Sequence, residues 1–431
     1  MRIDFMAPIG RRVLLVCPDG RQFGHLALEW AMALSAARAS GASVWLVPPA
    51  GAANPALLDV ECPDVPLRRL PAVLRPLARL RLGLAGLTRG GRFAADAVVE
   101  SCFDQLARAV TFHIDHSPLP PTLARHLRGL KQGLGHRTRL QHRGFQPPYF
   151  RRRLIRAAIP VALRPEALRR AEALARAAGL PLEGPLVTIH AREAGYKRGG
   201  REVHQKPQMH GAAKGYRDDS LRNARIETYG PAIDMLVEKG FTVVRIGDAS
   251  MTPLRHPGVF DLPASPANDP LLQVYCLLRS RILISGESGP SAASYLAGTA
   301  LLTVNATDPI GSYPVRASSL FLLKHVEDPA RGSLTARDLL GRDYAGGLRN
   351  PGRYVYRDNT GEEILLAAYE ILERVGEPAD ADGQNVFRAM ATEAADGLRA
   401  EFGYVRKWGA DGGFLGDGAL VRFQADAGAG R

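Results

Sequence analysis

The strongest constraint on how this chain folds is a repeated alternation of short apolar runs with amphipathic stretches of helical spacing. Val13 to Cys17 is an apolar run that ends at Pro18-Asp19-Gly20. A helical pattern follows over His25 to Arg38, Gly41 stops it, and Ser43 to Val47 is a second apolar run. Strand, turn, helix and strand in that order make a βαβ unit, because parallel strands need a long crossover between them. From Pro165 the alternation returns and persists. A helix is predicted over Pro165 to Ala178, a strand over Leu186 to His190, a helix over Arg225 to Lys239 and a strand over Phe241 to Ile246. Arg281 to Ile284 and Leu301 to Val304 are two further strands, with a helix over Ser288 to Ala297 between them. Such a series predicts an α/β protein with a doubly wound parallel sheet in its second half.

The expected architecture is two Rossmann-like domains flanking a cleft. The first covers residues 1–164, with a basic, helical and loop-rich insertion at 65–164, and the second covers 165–350. Residues 351–431 are expected to supply a late helix, Glu362 to Val375, that crosses back to the first domain. A Gly/Ala/Asp-rich tail follows, loosely held apart from aromatic anchors such as Trp408 and Phe414.

Charge is distributed unevenly along this frame. The 431 residues carry 56 Lys+Arg and 43 Asp+Glu, a formal charge of +13. Residues 65–165 hold 19 Lys/Arg and four acids, which is 19 − 4 = +15 and leaves −2 for the remainder. A basic block inside a near-neutral protein implies one surface built for an anionic partner rather than a general nucleic-acid binder. The run from His116 to Pro165 contains 11 Lys/Arg, including Arg151-Arg152-Arg153, and no acid. An anionic acceptor, an anionic membrane surface and a plain solvated face all account for it. Cys17, Cys62, Cys102 and Cys276 are widely spaced and form no CxxC pair, which argues against a zinc site or a disulfide scaffold. No stretch reaches the roughly 18 apolar residues of a membrane span, so a cytoplasmic location is expected, with peripheral contact at the inner membrane face as an addition.

Three local features carry candidate chemistry. Ser285-Gly286-Glu287-Ser288-Gly289-Pro290-Ser291 lies between a strand and a helix. Small residues there let a ligand approach the backbone, hydroxyls donate hydrogen bonds, and the helix start presents unpaired N–H groups. A tight turn with a serine cap is the alternative. His190-Ala191-Arg192-Glu193 ends a strand, where alternation puts His190 and Arg192 on one face at the carboxyl edge. The arginine fork suits a diphosphate, unless it pairs with Glu193 or another local acid. A basic loop follows, with Tyr196, Lys197, Arg198, Arg201, His204, Lys206, His210, Lys214 and Arg217, and then Arg222-Asn223. Its histidines lack a metal-ligand pattern, so no metal site is expected. In Phe23-Gly24-His25-Leu26-Ala27-Leu28-Glu29, Gly24 permits a sharp turn and places His25 at a helix start, with Glu29 one turn on. Either side chain is placed to take a proton from an attacking hydroxyl, and a helix-capping histidine is the structural alternative.

Together these residues resemble a bacterial family of glycosyltransferases found among surface-polysaccharide and natural-product genes. The matching pattern is FGHLALE near the amino terminus, strand-HxRE, a variable loop, Arg222-Asn223, an amphipathic helix, and Val244, Arg245, Gly247 and Asp248 in VxRxGD. The stretch SGESGPSAASYLAGTALLTVN is similar to the donor-phosphate motif of heptosyltransferases, with Ser285 and Ser291 where an acid and a histidine are expected there. HxR resembles the arginine motif of fucosyltransferases. The resemblance covers the first 50 residues and about 185–310. It implies the two-domain GT-B fold, a nucleoside-diphosphate sugar bound by the C-terminal domain as co-substrate, and no cofactor or obligatory metal.

The implied reaction is sugar transfer to a hydroxyl acceptor with inversion. His190, Arg192, Tyr196, Arg222, Asn223, Arg245, Gly247, Asp248 and Ser285 to Gly289 with Ser291 would hold the donor. His25 or Glu29 would be the base, and Gly24 and Arg151 to Arg153 would face an acceptor that is anionic or lipid-linked. The alternatives are a nucleotide-sugar epimerase or hydrolase of the same fold, or a non-enzymatic basic protein that binds nucleic acid or a membrane surface. The basic segment lacks aromatic interleaving and zinc spacing, so no specific nucleic-acid partner is expected.

Overall fold

The structure is a computed structural model, and it describes residues 13–16, 18, 22–46, 48, 52–69, 155–193, 205–207, 216–348, 352–373, 380–402, 404, 408–409 and 412–429. The chain divides into two compact units, one of residues 1–147 and 159–164 and the other of 148–158 and 165–431.

In the first unit β1 (Val13–Val16), β2 (Ser43–Leu46) and β4 (Leu67–Arg69) form a parallel sheet in that order, and α1 (Phe23–Ser40) connects β1 to β2. The helix buries Leu26, Ala27, Trp30, Leu34 and Ala37 against the same core as Val44 and Leu46. The Trp30 indole N–H donates to the Val60 carbonyl at 2.9 Å, satisfying the one polar atom of a fully buried ring. Val60 lies in β3 (Val60–Glu61), which pairs antiparallel with β5 (Ala162–Leu163) and so returns the chain to this unit. Asp59 fastens that return by accepting from Arg69 at 2.7 Å and by an ion pair with Arg164 at 2.9 Å. The βαβ reading therefore stands over the described residues, with strands at Val13–Val16 and Ser43–Leu46. The turn into α1 does not lie at Gly24: the helix already starts at Phe23 after an extended Gln22, so Gly24 is its second residue and His25 its third.

The second unit is built on a seven-stranded parallel sheet with the order β10-β9-β6-β11-β12-β13-β17. Its members are β6 (Leu186–His190), β9 (Thr242–Arg245), β10 (Val259–Asp261), β11 (Ser280–Ser285), β12 (Ala300–Ala306), β13 (Leu320–Leu323) and β17 (Phe414–Leu415). Each of the five residues of β6 is buried, as expected for a central parallel strand covered on both faces. The connecting helices are α2 (Pro165–Ala177), α3 (Gly230–Glu238), α4 (Pro270–Arg279) and α5 (Gly289–Ala297). From β6 the chain winds outward through β9 to β10, and β11 then starts again on the other side of β6. The order therefore reverses between β6 and β11, the place where open α/β sheets bind ligands at their carboxyl ends.

Two segments differ from the sequence expectation. The stretch predicted as a loop over 193–219 contains a short antiparallel pair, β7 (Gln205–Pro207) and β8 (Tyr216–Asp218). More substantially, the residues expected as a loosely held tail are core. A small antiparallel sheet of β14 (His325–Asp328), β15 (Gly332–Ser333) and β16 (Val355–Arg357), with the short helices α6 (Ala336–Leu339) and α7 (Arg342–Gly347), precedes them. Helix α8 (Gly361–Glu373) buries Ile364, Ala367, Ala368 and Ile371 in the core shared by α3 and the sheet of this unit. Then α9 (Ala381–Gly397), α10 (Arg399–Phe402), strand β17 and α11 (Asp417–Ala429) complete the unit. Trp408 is 1% exposed and its ring lies 4.2 Å from that of Tyr313, and Phe414 pairs with Leu320 as part of the sheet. The reason is hydrophobic: Phe321 and Tyr313 need covering on this side, and α9 brings Phe387, Ala391 and Ala395 to them.

Candidate functional site

At the β6/β11 switch point the backbone is drawn together by register. Ser285 lies opposite His190, and the Gly286 N–H donates to the His190 carbonyl at 3.3 Å. The Tyr229 hydroxyl donates to that same carbonyl at 3.3 Å. The two motifs the sequence singled out independently are thus adjacent.

His190 is buried and its Nδ1 lies 3.0 Å from the Ile246 carbonyl. A carbonyl only accepts, so Nδ1 carries the proton and Nε2 is the acceptor nitrogen. Burial pushes the imidazole down to about 4; the Ile246 hydrogen bond and Glu193 oppose that shift while Arg245 and Arg192 add to it. At neutral pH this ring is uncharged, so it contributes no cation to an anion site.

Arg192 is half-buried and donates to Asn223 Oδ1, while Glu193 pairs with Arg245. The Ala224 N–H donates to the Arg192 carbonyl at 3.0 Å, locking segment 222–225 alongside the strand end. Arg222 Nη1 donates to the Glu287 carbonyl at 3.1 Å, which brings a second guanidinium to the small-residue turn. Within that turn Ser291 Oγ donates to the Gly286 carbonyl at 2.6 Å and lies 3.1 Å from Ser285 Oγ. Ser285 also donates to the Gly286 carbonyl, at 3.1 Å, and is fully buried. These two hydroxyls shape the turn rather than extend toward a ligand. Ser288 is the N-cap residue of α5 and its side chain makes no capping bond; Pro290 has no N–H, so the backbone N–H groups of Gly289, Ser291 and Ala292 are the anion-directed feature.

Three residues of the expected donor set are committed elsewhere. Arg245 has no exposed side-chain surface and binds Glu193 at 2.5 Å, Asp261 at 3.3 Å and the Thr252 carbonyl at 2.6 Å. It therefore ties the β6 and β9 exits together and does not reach a ligand. The Glu287 carboxylate accepts from Thr307 Oγ1 at 2.5 Å, from Ser312 Oγ and from the Asp308 N–H at 3.3 Å, bracing the turn against segment 307–312. Asp248 accepts from the Ser250 N–H at 3.0 Å in a local turn. Before it, Gly247 has φ +153 and is clamped on both sides by the Gln273 amide, at 3.1 and 2.9 Å.

His25 and Glu29 share one face of α1, His25 half-buried and Glu29 8% exposed. Tyr196, His204, His210 and Arg151 to Arg153 lie outside the described residues, as does most of the basic segment. Among the described residues no group of three or more His, Cys, Asp or Glu side chains is arranged to hold a metal. No helix among them is long and apolar enough to cross a membrane. The sequence reading missed Gln273, Lys324 and Asp358. Lys324 and Asp358 sit in no recognisable motif, and only the burial of a lysine with an acid against it marks them.

No protein-family model matches the chain, and no curated protein matches it. Solved structures with some similarity include a glycosyl transferase family 9 protein from Veillonella parvula, at 11% identity and TM-score 0.32, covering 70% of this chain and 82% of that one. E. coli ADP-heptose LPS heptosyltransferase II aligns at 14% identity and TM-score 0.33, covering 68% of this chain and 84% of its own. The iron-containing dodecameric glycosyltransferase TibC from enterotoxigenic E. coli aligns at 15% identity and TM-score 0.30, covering 70% and 62%. At these scores the likeness carries no weight for fold or activity, and the functional reading rests on the site.

Proposed function

We propose that the chain is a glycosyltransferase that moves a sugar from a nucleoside-diphosphate sugar to a hydroxyl acceptor, with inversion and without an obligatory metal. The observation that supports it is the meeting of Arg192, Arg222 and the uncapped start of α5 at the β6/β11 switch point. In this reaction the acceptor oxygen bonds to the anomeric carbon as the bond to the diphosphate breaks, and negative charge grows on the leaving phosphate. Guanidiniums and helix-start N–H dipoles fixed in advance are the groups that stabilise such charge. His190, neutral and with Nε2 as acceptor, suits a donor hydroxyl or N–H rather than phosphate. The acceptor's proton goes to His25 or Glu29, so residues 1–164 supply the acceptor-side groups and 165–350 the donor-side groups. The basic run that includes Arg151 to Arg153 then suits an anionic or lipid-linked acceptor.

The test begins with a panel of nucleotide sugars in a thermal-shift assay, since a donor at 100 times its Kd stabilises by about 2.7 kcal/mol. With the stabilising donor, Arg192→Ala should lower kcat/KM by an amount equivalent to about 2–5 kcal/mol. Near-normal turnover in Arg192→Ala, or no response to any nucleotide sugar, would overturn the proposal. Rapid conversion of donor in the absence of acceptor would point to an epimerase or hydrolase instead.

A further inference from the structure

Lys324 follows β13 directly and is 6% exposed. Its ammonium forms an ion pair with Asp358 Oδ1 at 2.8 Å and donates to the Asn223 carbonyl at 2.7 Å. The second oxygen of Asp358 accepts from the Arg225 N–H at 2.9 Å. One buried ion pair therefore grips residues 223–225 at both ends, by a carbonyl on one side and an amide on the other. Between those two points the Ala224 N–H is bonded to Arg192, and the Asn223 side chain receives the Arg192 guanidinium. Arg222 stands next in the chain with its own guanidinium on the turn.

The pair is itself anchored from behind. Asn359 donates its N–H to Asn305 Oδ1 at 2.6 Å and accepts the Asn305 N–H at 2.7 Å, and its amide donates to the Leu323 carbonyl at 2.9 Å. Asn305 has φ 57, the only positive value among the described non-glycine residues, and it is fully buried near the carboxyl end of β12. Such strain persists only where the surroundings over-determine the conformation. A buried ion pair is a weak source of stability, and its best-attested use is to fix one arrangement among several.

We infer that Lys324 and Asp358 are positioning residues for the anion site: they hold segment 223–225 so that the guanidiniums of Arg192 and Arg222 stand at the switch point before a ligand arrives. The inference rests on reading that point as a diphosphate site. Their role is through the segment: Lys324 is buried and Asp358 largely so, and their charged groups are engaged with each other and with residues 223–225.

Inorganic pyrophosphate is the probe, with affinity measured by calorimetry at fixed ionic strength and amide exchange measured over residues 220–226 in the ligand-free full chain. The double variant Lys324→Met/Asp358→Asn removes both charges together and leaves no unpaired ion. It should weaken pyrophosphate binding at least tenfold and speed exchange over 220–226. Arg192→Ala should weaken binding similarly while the Ala224 and Arg225 amides stay protected, since their bonds run to the Arg192 carbonyl and to Asp358, a split that a merely structural defect would not produce. Should the double variant fail to fold, Asp358→Asn alone should show the same two changes to a smaller degree. A folded variant that binds as the wild type does, or exchanges as it does, would overturn the positioning role while leaving the diphosphate site standing. Wild-type protein that ignores pyrophosphate would overturn the site reading and this inference with it.

Discussion

Two arginines at the exits of adjacent strands, Arg245 on β9 and Arg192 after β6, show how differently one residue type is used. Arg245 has no exposed side-chain surface and sits between the carboxylates of Glu193 and Asp261. Removing it strands two largely buried carboxylates, so Arg245→Met should cost about 3–5 kcal/mol in chemical denaturation. Arg245→Lys should recover only part of that, since an ammonium cannot bridge both acids and the Thr252 carbonyl in one plane. Nothing in the sequence separates the two arginines: Arg245 ends one buried strand and Arg192 follows another, and only the pairing with Glu193, 52 residues away, and Asp261, 16 residues away, makes Arg245 structural. His190 carries a pH signature at the same scale. Its folded-state value near 4 lies below the unfolded value of 6.5, so between those limits the unfolded chain binds more protons and stability rises with pH. The contribution is full above about pH 6.5 and is lost as pH falls toward 4, amounting to about 3 kcal/mol. His325 also titrates low, so the measurement compares unfolding free energies of wild type and His190→Asn across pH 4–7, where the variant should show the shallower slope.

Among the elements, strand ends matter more than strands. The five residues of β6 are as the apolar run predicts, and α5 and β11 fall within one residue of their expected limits. Long-range bonds at the exits were not legible, because a hydrogen bond such as Gln273 to Gly247 depends on which helix the topology returns to that strand. The Gly247 exit is the most constrained of them. A Cβ there would meet Met251 Sδ at 2.4 Å and stand 3.4 Å from His190 Nδ1, at a φ that side chains rarely adopt. Gly247→Ala should therefore destabilise by about 1–3 kcal/mol, read as a fall in the denaturant midpoint. Gly286→Ala is the control: its Cβ would find only ordinary contacts at 3.7 and 3.9 Å, and stability should hold within about 0.5 kcal/mol. Equal losses at both positions would show that the turn, not the β9 exit, limits stability.

The whole second unit depends on its last fifty residues in a way that composition conceals. A segment rich in Gly, Ala and Asp reads as poorly able to bury apolar area, yet α9 needs only small residues where it lies close to the sheet. Its one large contribution is Phe387, which is fully buried and stands 6.2 Å from Tyr313, 6.1 Å from Phe321 and 5.3 Å from Phe423. Gln384 then bonds both the N–H and the carbonyl of Leu415, so α9 fixes the short edge strand that completes the sheet. Phe387→Ala should cost about 3–5 kcal/mol, a large part of a typical domain's net stability of about 5–15 kcal/mol. Deleting residues 380–431 goes further, because it uncovers Tyr313, Phe321 and Leu340 together, each contributing about 1.5–3 kcal/mol by burial. The shortened chain should therefore lose cooperative unfolding and expose hydrophobic surface to a dye. A loosely held tail would predict the opposite, an unchanged melting temperature after deletion, so one calorimetric scan distinguishes a closing element of the core from an appendage.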